Sequence, residues 1–548
     1  MTMNRRTFNA SATALLGSQL LNGSVLQAQS PKATSARRKL TLLHFTDTHA
    51  QLETHSDYLP GEIPEFQSMG GFARLKTAIN RELANVEGPA FVADGGDEFQ
   101  GSGPAAWSEG EVILKPLNAL GADVFVPGNW EPTYGPQRFR ELMKQLTAQV
   151  TCFNLHDKTT GQRLFSPSVV IEKQGVRVAF VGVTDLKASE RHSPFEYEGL
   201  DTSRIEGLRE FVGELRTKER ADLVVGLTHT GITVTRHLAK QVPGFDVILS
   251  GHTHERTLEP ILEGKVIIVE SAAMASFLGR LDVTLGADGR VTDHKFRLIS
   301  VTAETYGEHA GVKQLVDQAL APYRARANQV VGRTLTPMMR YDVLETNADD
   351  FITDAIRDSV QVDIGFSNGF RFGIPIPAGD LTVGDLWNLL PMDTRVKTGW
   401  VTGLQLRAYL ENELELVYSQ DPSKLSGGWG PRASGMQMWY EVRAKSGNRV
   451  REVRVAGRLL ENKSRYTIAS CERRGEPLDI ICRIKNVQDV KVSPVLLHDS
   501  LLAYLKKHAV ISPRREGRAY ATDLAPVVFS QDAVVSDGSR GSYLAWGR

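Results

Sequence analysis

Six short apolar segments in the first half of the chain each end in polar residues that can bind a metal ion. Segments of four to eight apolar residues bounded by glycine or polar clusters are typical of buried strands. The six segments are 40–49, 90–97, 122–129, 177–185, 223–229 and 247–254. Because ligands of open α/β sheets lie beyond the carboxyl ends of the strands, we expect these polar ends to meet at one site.

The polar ends form four short motifs and one isolated histidine. In chain order these are Asp-x-His, Gly-Asp, Gly-Asn-x-Glu, a single His and Gly-His-x-His. The candidate metal ligands in them are Asp47, His49, Asp97, Asn129, His229, His252 and His254. Carboxylate, amide and imidazole together suit a hydrolytic centre with two divalent cations. Gly-Asp or Gly-Asn alone is usually a turn, so the prediction depends on the motifs occurring together in this order.

The order of these motifs resembles the calcineurin-like metallophosphoesterases, over about residues 39–297. The C-terminal half resembles the second domain of the 5′-nucleotidases. The resemblance implies an α/β fold with a four-layer αββα sandwich at 38–305 and a mixed α+β domain at 336–548. Helical spacing of apolar residues predicts a linker helix between them, at 306–335.

The resemblance also implies how the ligands divide between two divalent ions, for which we expect manganese because the ligands are oxygen and nitrogen without thiolate. Asp97 bridges both ions. Asp47, His49 and His254 complete one site, and Asn129, His229 and His252 complete the other. The implied chemistry is metal-assisted hydrolysis.

One segment departs from the ordinary members of the family. They carry a His–Asp dyad near the leaving group, and the two positions hold Trp130 and Thr133 here. Gly128-Asn129-Trp130-Glu131, with Thr133-Tyr134-Gly135 after it, is similar to the SoxB-type thiosulfohydrolases. An alkoxide leaving group benefits from a general acid, whereas a persulfide or thiolate leaves without one. We expect Trp130 to shape a pocket for such chemistry; the alternative is a repurposed phosphoesterase in which Trp130 only packs.

Two features of the second domain bear on the substrate. Arg371 lies in the glycine-flanked loop 367–373, and its guanidinium offers a bidentate fork to a sulfonate or phosphate. The alternative is an arginine of a surface hairpin. The nucleotidases of this family hold a base between two aromatic rings. Trp429 is a candidate for one ring or a core indole, but the segment Cys471 to Cys482 has no aromatic residue for the other.

The first 30 residues resemble a twin-arginine signal peptide. Arg5 and Arg6 precede a modest apolar stretch that continues to Leu26. This predicts export to the periplasm. Lysine plus arginine equals aspartate plus glutamate, at 64 each, so no global charge favours nucleic acid or a membrane surface. No later stretch is long and apolar enough to predict a transmembrane span.

Three cysteines are present. We expect Cys152 to be a buried strand residue, because no partner suggests a nucleophile. Cys471 and Cys482 either form a small-loop disulfide, which the periplasm permits, or remain thiols.

These observations predict a periplasmic, SoxB-like dimetal hydrolase that releases sulfate from a sulfur-bound thiosulfonate. The expected partner is a sulfur-carrier protein that presents a cysteine-bound substrate, with a small anionic substrate as the alternative. A 5′-nucleotidase or related phosphoesterase remains open, as does a catalytically damaged binding protein. The complete ligand set counts against the damaged protein.

Overall fold

The apolar segments of the first half form the strands of two stacked, six-stranded sheets. The computed structural model describes residues 38–59, 65–369, 373–425 and 428–524. In spatial order the first sheet contains Val291–Ser300, Phe277–Leu285, Arg38–Phe45, Ala90–Asp94, Val124–Phe125 and Gln149–Val150. The second sheet contains Ile261–Glu263, Val266–Glu270, Val247–Ser250, Leu223–His229, Val176–Thr184 and Ser168–Lys173. All six predicted strands are confirmed.

Alternation along each strand determines which layer a side chain joins, because successive residues of a strand point to opposite faces. Leu42 packs between the two sheets, and its neighbour Leu43 packs against the outer helices. The helices over the first sheet are Phe72–Leu83, Gly103–Trp107, Glu111–Leu120, Pro136–Met143 and Ala310–Leu320. Leu208–Lys218 and Ile232–Gln241 cover the second sheet. The predicted αββα sandwich is therefore confirmed.

Strand direction brings the polar ends together. Arg38–Phe45, Ala90–Asp94 and Val124–Phe125 run parallel to one another in the first sheet. Val176–Thr184, Leu223–His229 and Val247–Ser250 do so in the second. The carboxyl ends of all these strands except Val176–Thr184 lead to candidate ligands, which lie in the loops that follow or, for His229, at the last residue of the strand.

Short elements surround this edge of the sandwich. A hairpin pairs His55–Leu59 with Glu65–Met69, and a second small pair joins His156–Asp157 to Leu200–Asp201. A 3₁₀ helix follows Trp130 at Glu131–Tyr134. The helical turn Ala188–Arg191 follows the strand that ends at Thr184.

The segment 306–335, predicted as one linker helix, is not one helix. Its helix Ala310–Leu320 packs on the first domain, and Arg324–Ala327 forms a separate turn. Pro322 accounts for the break, since proline cannot donate the backbone hydrogen bond that continues a helix. Val330–Thr334 is already a strand of the second domain.

The second domain is mixed α+β, as predicted. Its five-stranded sheet contains, in spatial order, Trp429–Ser434, Ile364–Gly369, Arg465–Cys471, Arg395–Thr402 and Gln488–Leu496. Two smaller sheets contain Gly379–Thr382, Val330–Thr334 and Val510–Ile511, and Arg458–Leu459, Val450–Val455, Met436–Tyr440 and Ala519–Ala521. Its helical segments are Asn347–Val360, Val383–Leu389, Gly403–Tyr418, Pro422–Lys424 and Leu497–Lys507. Among the described residues, no helix combines the length and the apolar character that crossing a bilayer requires.

Candidate metal centre

The seven candidate ligands meet at the carboxyl edge of the two sheets, and six of them fall into two groups of three. Within each group the ligand atoms all lie within 4.8 Å of one another. One group is Asp47, His49 and His254, and the other is Asp97, His229 and His252. This is the division that the family resemblance implied. Asp47 Oδ1 lies 3.7 Å from His229 Nε2, so the two groups adjoin.

The ring nitrogens of two of these histidines have defined roles. His49 Nδ1 lies 2.9 Å from the carbonyl oxygen of Gln100, and His229 Nδ1 lies 2.6 Å from that of Gly95. A carbonyl only accepts, so each Nδ1 carries a proton, and Nε2 is the ring nitrogen available to a metal ion. Metal-binding histidines are commonly oriented by such a bond from the other ring nitrogen.

The backbone is held in an uncommon conformation at most of the candidate ligands. Positive φ angles occur at Asp47 (52°), His49 (46°), Asp97 (60°), His252 (89°) and His254 (59°). Residues other than glycine rarely adopt this region, and such strain clusters at functional sites. Tight packing explains why two of the motifs begin with glycine. A Cβ atom at Gly128 would overlap the Asp97 carboxylate, and one at Gly251 would overlap the Thr46 hydroxyl.

Two buried acids, Glu131 and Glu270, hold in place the loops that carry the candidate ligands. Glu131, the Glu of the Gly-Asn-x-Glu motif, accepts backbone N–H bonds from Glu98 at 2.8 Å and from Gly128 at 2.6 Å. Glu270 accepts hydroxyl bonds from Ser250 and Thr253 and the backbone N–H of Glu255. Burial raises the pKa of Glu131 to about 8. By accepting these hydrogen bonds, Glu131 and Glu270 fix the loops that carry the candidate ligands.

The electrostatics of the cluster favour positive charge. Burial alone would lower the pKa of His229, but the Asp97 and Asp47 carboxylates outweigh it and raise that pKa to about 10. Burial lowers the pKa of His49 to about 4, with His254 acting in the same direction. Two buried carboxylates that hold a proton on His229 in this way would also attract divalent cations in its place, and carboxylates with imidazoles form a donor set that fits such cations.

Asn129 completes this donor set. It is buried, and its Oδ1 has no hydrogen-bond partner among the described residues. A buried polar atom without a partner calls for an explanation such as a bound ion. Asn129 and four of the other candidates, His49, Asp97, His252 and His254, line one cavity of about 370 Å³. The residues present therefore fit two metal ions.

Trp130 lies in the wall of the same cavity and is 9% exposed. Its indole packs edge-to-face on the His192 ring, with centroids 4.5 Å apart. Thr133 also lines the cavity. The second domain closes the opposite side, where Trp429 and the segment after Ser470 contribute.

The other predicted residue of the second domain, Arg371, lies outside the described residues. The segment that leads to it reaches the cavity, since Asn368 and Gly369 both line it. Buried Arg340 anchors this segment through a bond to the Asn368 carbonyl at 2.8 Å. The role of Arg371 as an anion-binding group stays a prediction.

Cys152 differs from the expectation in one respect, whereas Cys471 and Cys482 follow one of the two alternatives left open. Cys152 is buried, but it lies just beyond the bridge residue Thr151 and not within a strand. Cys471 and Cys482 are free thiols, so the disulfide is not formed in this structure. Their sulfurs are nevertheless only 3.2 Å apart.

Family comparisons agree with the geometry of both domains. Residues 40–256 match the calcineurin-like phosphoesterase family, and residues 330–472 match the family described as 5′-nucleotidase, C-terminal domain. The chain therefore combines a calcineurin-like phosphoesterase domain with a 5′-nucleotidase C-terminal domain. This combination of domains implies a metal-dependent hydrolase, and the two clusters of candidate ligands imply a dimetal site.

The proteins to which this chain is similar divide between two chemistries. The structure of the sulfate thiohydrolase SoxB from Thermus thermophilus is 26% identical, with a TM-score of 0.81, and the match covers 88% of this chain and 96% of SoxB. The trifunctional nucleotide phosphoesterase YfkN of Bacillus subtilis is 26% identical over 76% of this chain, which spans only 30% of YfkN. The 5′-nucleotidase of Vibrio cholerae is 23% identical, over 68% of this chain and 75% of that protein.

Sequence reasoning missed several residues that line the cavity of this protein. They are Arg191, His192, Glu196, Arg473, Arg474 and Arg483. The first three follow the strand Val176–Thr184, at the end of the helical turn Ala188–Arg191 and in the irregular segment after it, where the sequence has no motif. A signal existed for Arg473 and Arg474, because their segment is the one that lacks the second aromatic ring of the nucleotidases.

Proposed function

We propose that the protein is a periplasmic dimetal hydrolase that releases sulfate from a sulfur-bound thiosulfonate. The observation that carries the proposal is Trp130, which occupies the place of the family's acid in the cavity wall beside the candidate ligands. Thr133, in the position of the acid's partner, lines the same cavity. A leaving group that departs without a proton suits a site that has lost both residues.

Likeness to SoxB supports the same proposal. The match with this sulfate thiohydrolase extends over both domains, at 26% identity and a TM-score of 0.81. We infer that a sulfur-carrier protein presents the substrate on a cysteine. Bound divalent cations, for which we propose manganese, would neutralise the sulfonate oxygens and lower the pKa of the attacking water.

The chain's own residues would hold and orient the anionic end of the substrate. Arg191, Arg473 and Arg483 line the cavity. Arg473 pairs with Glu476 at 2.6 Å, and Arg483 pairs with Glu413 at 2.5 Å, so both are fixed in place. Arg474 is exposed and lies over Phe195, with its guanidinium carbon 3.6 Å from the ring centroid. Arg371 is proposed to add a bidentate contact to the sulfonate.

A nucleotide phosphoesterase is the second candidate, favoured by the names of the curated relatives YfkN and the Vibrio cholerae 5′-nucleotidase. Both candidate functions would use the same metal centre. They differ in the leaving group, which is an alkoxide for a nucleotide and a persulfide or thiolate for a thiosulfonate. A damaged binding protein gains no support, because all seven candidate ligands are present and six form two close groups.

Periplasmic location is part of the proposal, through the twin-arginine signal at residues 1–30, which lie outside the described residues. Replacing Arg5 and Arg6 by lysines should retain the protein in the cytoplasm, since a receptor reads the signal. Fractionation with immunodetection checks this. Normal periplasmic recovery of the variant would contradict the twin-arginine route.

The dependence on the leaving group tests the chemistry. A general acid typically contributes about 10²–10⁴-fold, so AMP hydrolysis should show roughly that deficit relative to an ordinary family nucleotidase. Hydrolysis of p-nitrophenyl phosphate, whose leaving group needs little protonation, should be much less affected. Equal deficits for the two substrates, or efficient AMP turnover, would favour the phosphoesterase.

A further inference from the structure

Asn129 can bind a metal ion through only one end of its side-chain amide. The oxygen is a ligand, whereas the amide nitrogen has no available lone pair. The two ends have nearly the same shape, so packing alone does not choose between them. In the structure Oδ1 is the buried atom without a hydrogen-bond partner, and Nδ2 lies 3.1 Å from His192 Nε2. The contact with His192 therefore distinguishes the two ends.

Glu196 determines which nitrogen of His192 carries the proton. Glu196 Oε2 lies 2.8 Å from His192 Nδ1 and also accepts the backbone N–H of Ser193 at 3.3 Å. Because a carboxylate accepts, the neutral imidazole places its proton on Nδ1 and leaves Nε2 as an acceptor. Nε2 can then accept only from the N–H end of the Asn129 amide. The two hydrogen bonds that link Asn129 to Glu196 through His192 therefore run in the same direction. Asn129 Nδ2 donates to His192 Nε2, and His192 Nδ1 donates to Glu196 Oε2.

The imidazole is also fixed by packing. The His192 side chain is only 5% exposed. Trp130 packs against it edge-to-face, and the Tyr197 ring lies on it with centroids 5.3 Å apart. Tyr197 also donates its hydroxyl to the backbone carbonyl of Asn129 at 2.8 Å. The aromatic rings thus hold both members of the contact.

We propose that His192, oriented by Glu196, is a positioning residue that directs the Asn129 amide oxygen toward the metal centre. Outer partners of this kind commonly orient metal ligands. In this arrangement both ring nitrogens are engaged within the protein, so His192 does not replace the acid missing at Trp130. The inference rests on the ligand role of Asn129, which both candidate functions share, and not on the identity of the substrate.

The test is a titration of the full-length protein with Mn²⁺ alone. His192→Phe removes the acceptor, and His192→Gln restores one through its side-chain oxygen. His156→Phe is the matched control, because His156 is buried in the same domain with its Nδ1 on the Asn154 carbonyl. Calorimetry with elemental analysis should show two ions in the control. In His192→Phe one of the two sites should weaken by about 10–100-fold, the usual effect of losing an outer partner.

Two further readouts separate positioning from general structure. The electron paramagnetic resonance signal of a coupled manganese pair should give way to that of an isolated ion in His192→Phe, and His192→Gln should restore the coupled signal. Two-site binding at wild-type affinity in His192→Phe would overturn the proposal. So would wild-type affinity accompanied by a selective loss of AMP hydrolysis, since His192 would then act on the leaving group.

If His192→Phe does not fold, a second variant, Glu196→Ala, tests the same proposal. Glu196→Ala leaves the imidazole in place but frees its tautomer, so it should weaken the same single site. Unchanged affinity at both sites in folded Glu196→Ala would contradict the proposal. Because no substrate is present in these titrations, their outcome is independent of the thiosulfonate assignment.

Discussion

The backbone N–H of Trp130 donates a hydrogen bond to Asp97 Oδ1 at 2.8 Å. The residue that replaces the expected acid is thus joined directly to the carboxylate expected to bridge the two ions. The bond uses the backbone of Trp130, so side-chain substitutions at this position should preserve it. The indole can therefore be changed without removing this support from the metal centre.

Asp97→Asn should remove most of the bound metal and most of the activity, because a bridging carboxylate neutralises both cations. Elemental analysis after dialysis against Mn²⁺ measures the number of ions per chain. Asp185→Asn is the matched control, since Asp185 pairs with Arg191 near the cavity and belongs to neither ligand group. Two ions per chain in Asp97→Asn would show that the bridging assignment is wrong.

Restoring the family dyad should change the leaving-group preference. Trp130→His combined with Thr133→Asp should raise AMP hydrolysis by more than p-nitrophenyl phosphate hydrolysis, because only the alkoxide needs a general acid, worth about 10²–10⁴-fold. The ratio of the two kcat/KM values is the measurement. Trp130→Phe with Thr133→Asn opens similar space without adding an acid. An equal rise in that control would mean that pocket size, and not proton donation, limits AMP turnover.

Asp393, in the cavity wall, should make stability depend on pH. Burial raises the pKa of Asp393 from its ordinary 3.8 to about 6, although the backbone N–H of His498 lowers it. The folded protein then binds the proton more tightly than the unfolded chain does. This contribution is fully present below about pH 4 and is lost as the pH rises to about 6.

Asp393→Asn cannot ionise, so its Tm relative to wild type should rise between about pH 4 and about pH 6 and then stay constant. Thermal unfolding of the two proteins across this range checks the prediction. A Tm difference that does not vary with pH would show that Asp393 titrates normally in the folded protein.

Cys471 and Cys482 should form a disulfide on mild oxidation with diamide, because their sulfurs are 3.2 Å apart. The hydrogen bond from Cys471 lowers the pKa of Cys482 to about 7, with Arg483 and Arg473 helping against burial. Burial raises the pKa of Cys152 to about 11, so this thiol should stay reduced. Non-reducing peptide mass spectrometry detects the cross-link, with Cys482→Ser as control. Oxidation of Cys152 with no cross-link between Cys471 and Cys482 would contradict this account.

The fold of the first domain was predictable because its strands are continuous apolar segments with polar ends. Asp47 and His252 follow strands that run to the same edge, so the local pattern was enough to predict that they meet, and the backbone N–H of His252 donates to Asp47 Oδ2 at 3.0 Å. The linker was harder, since apolar residues at helical spacing continue past Pro322 while the helix ends at Leu320. Spacing alone does not record where a helix must stop.

The contacts by which Glu196 orients His192 and His192 orients Asn129 were not predictable from the local sequence pattern. His192 and Asn129 are 63 residues apart, and their contact depends on two loops whose backbones follow no repeating pattern. Trp130 was recognised as a departure from the family motif, but its packing on His192 is a property of the folded chain. The role of Arg371 stays a prediction from sequence.

The most direct measurement is a side-by-side assay of manganese-loaded protein with a cysteine S-thiosulfonate carrier and with AMP. We predict sulfate release from the carrier at a kcat/KM well above that for AMP, with the activity lost in Asp97→Asn. Efficient phosphate release from AMP together with no sulfate release from the carrier would contradict the account and would identify the protein as a nucleotide phosphoesterase.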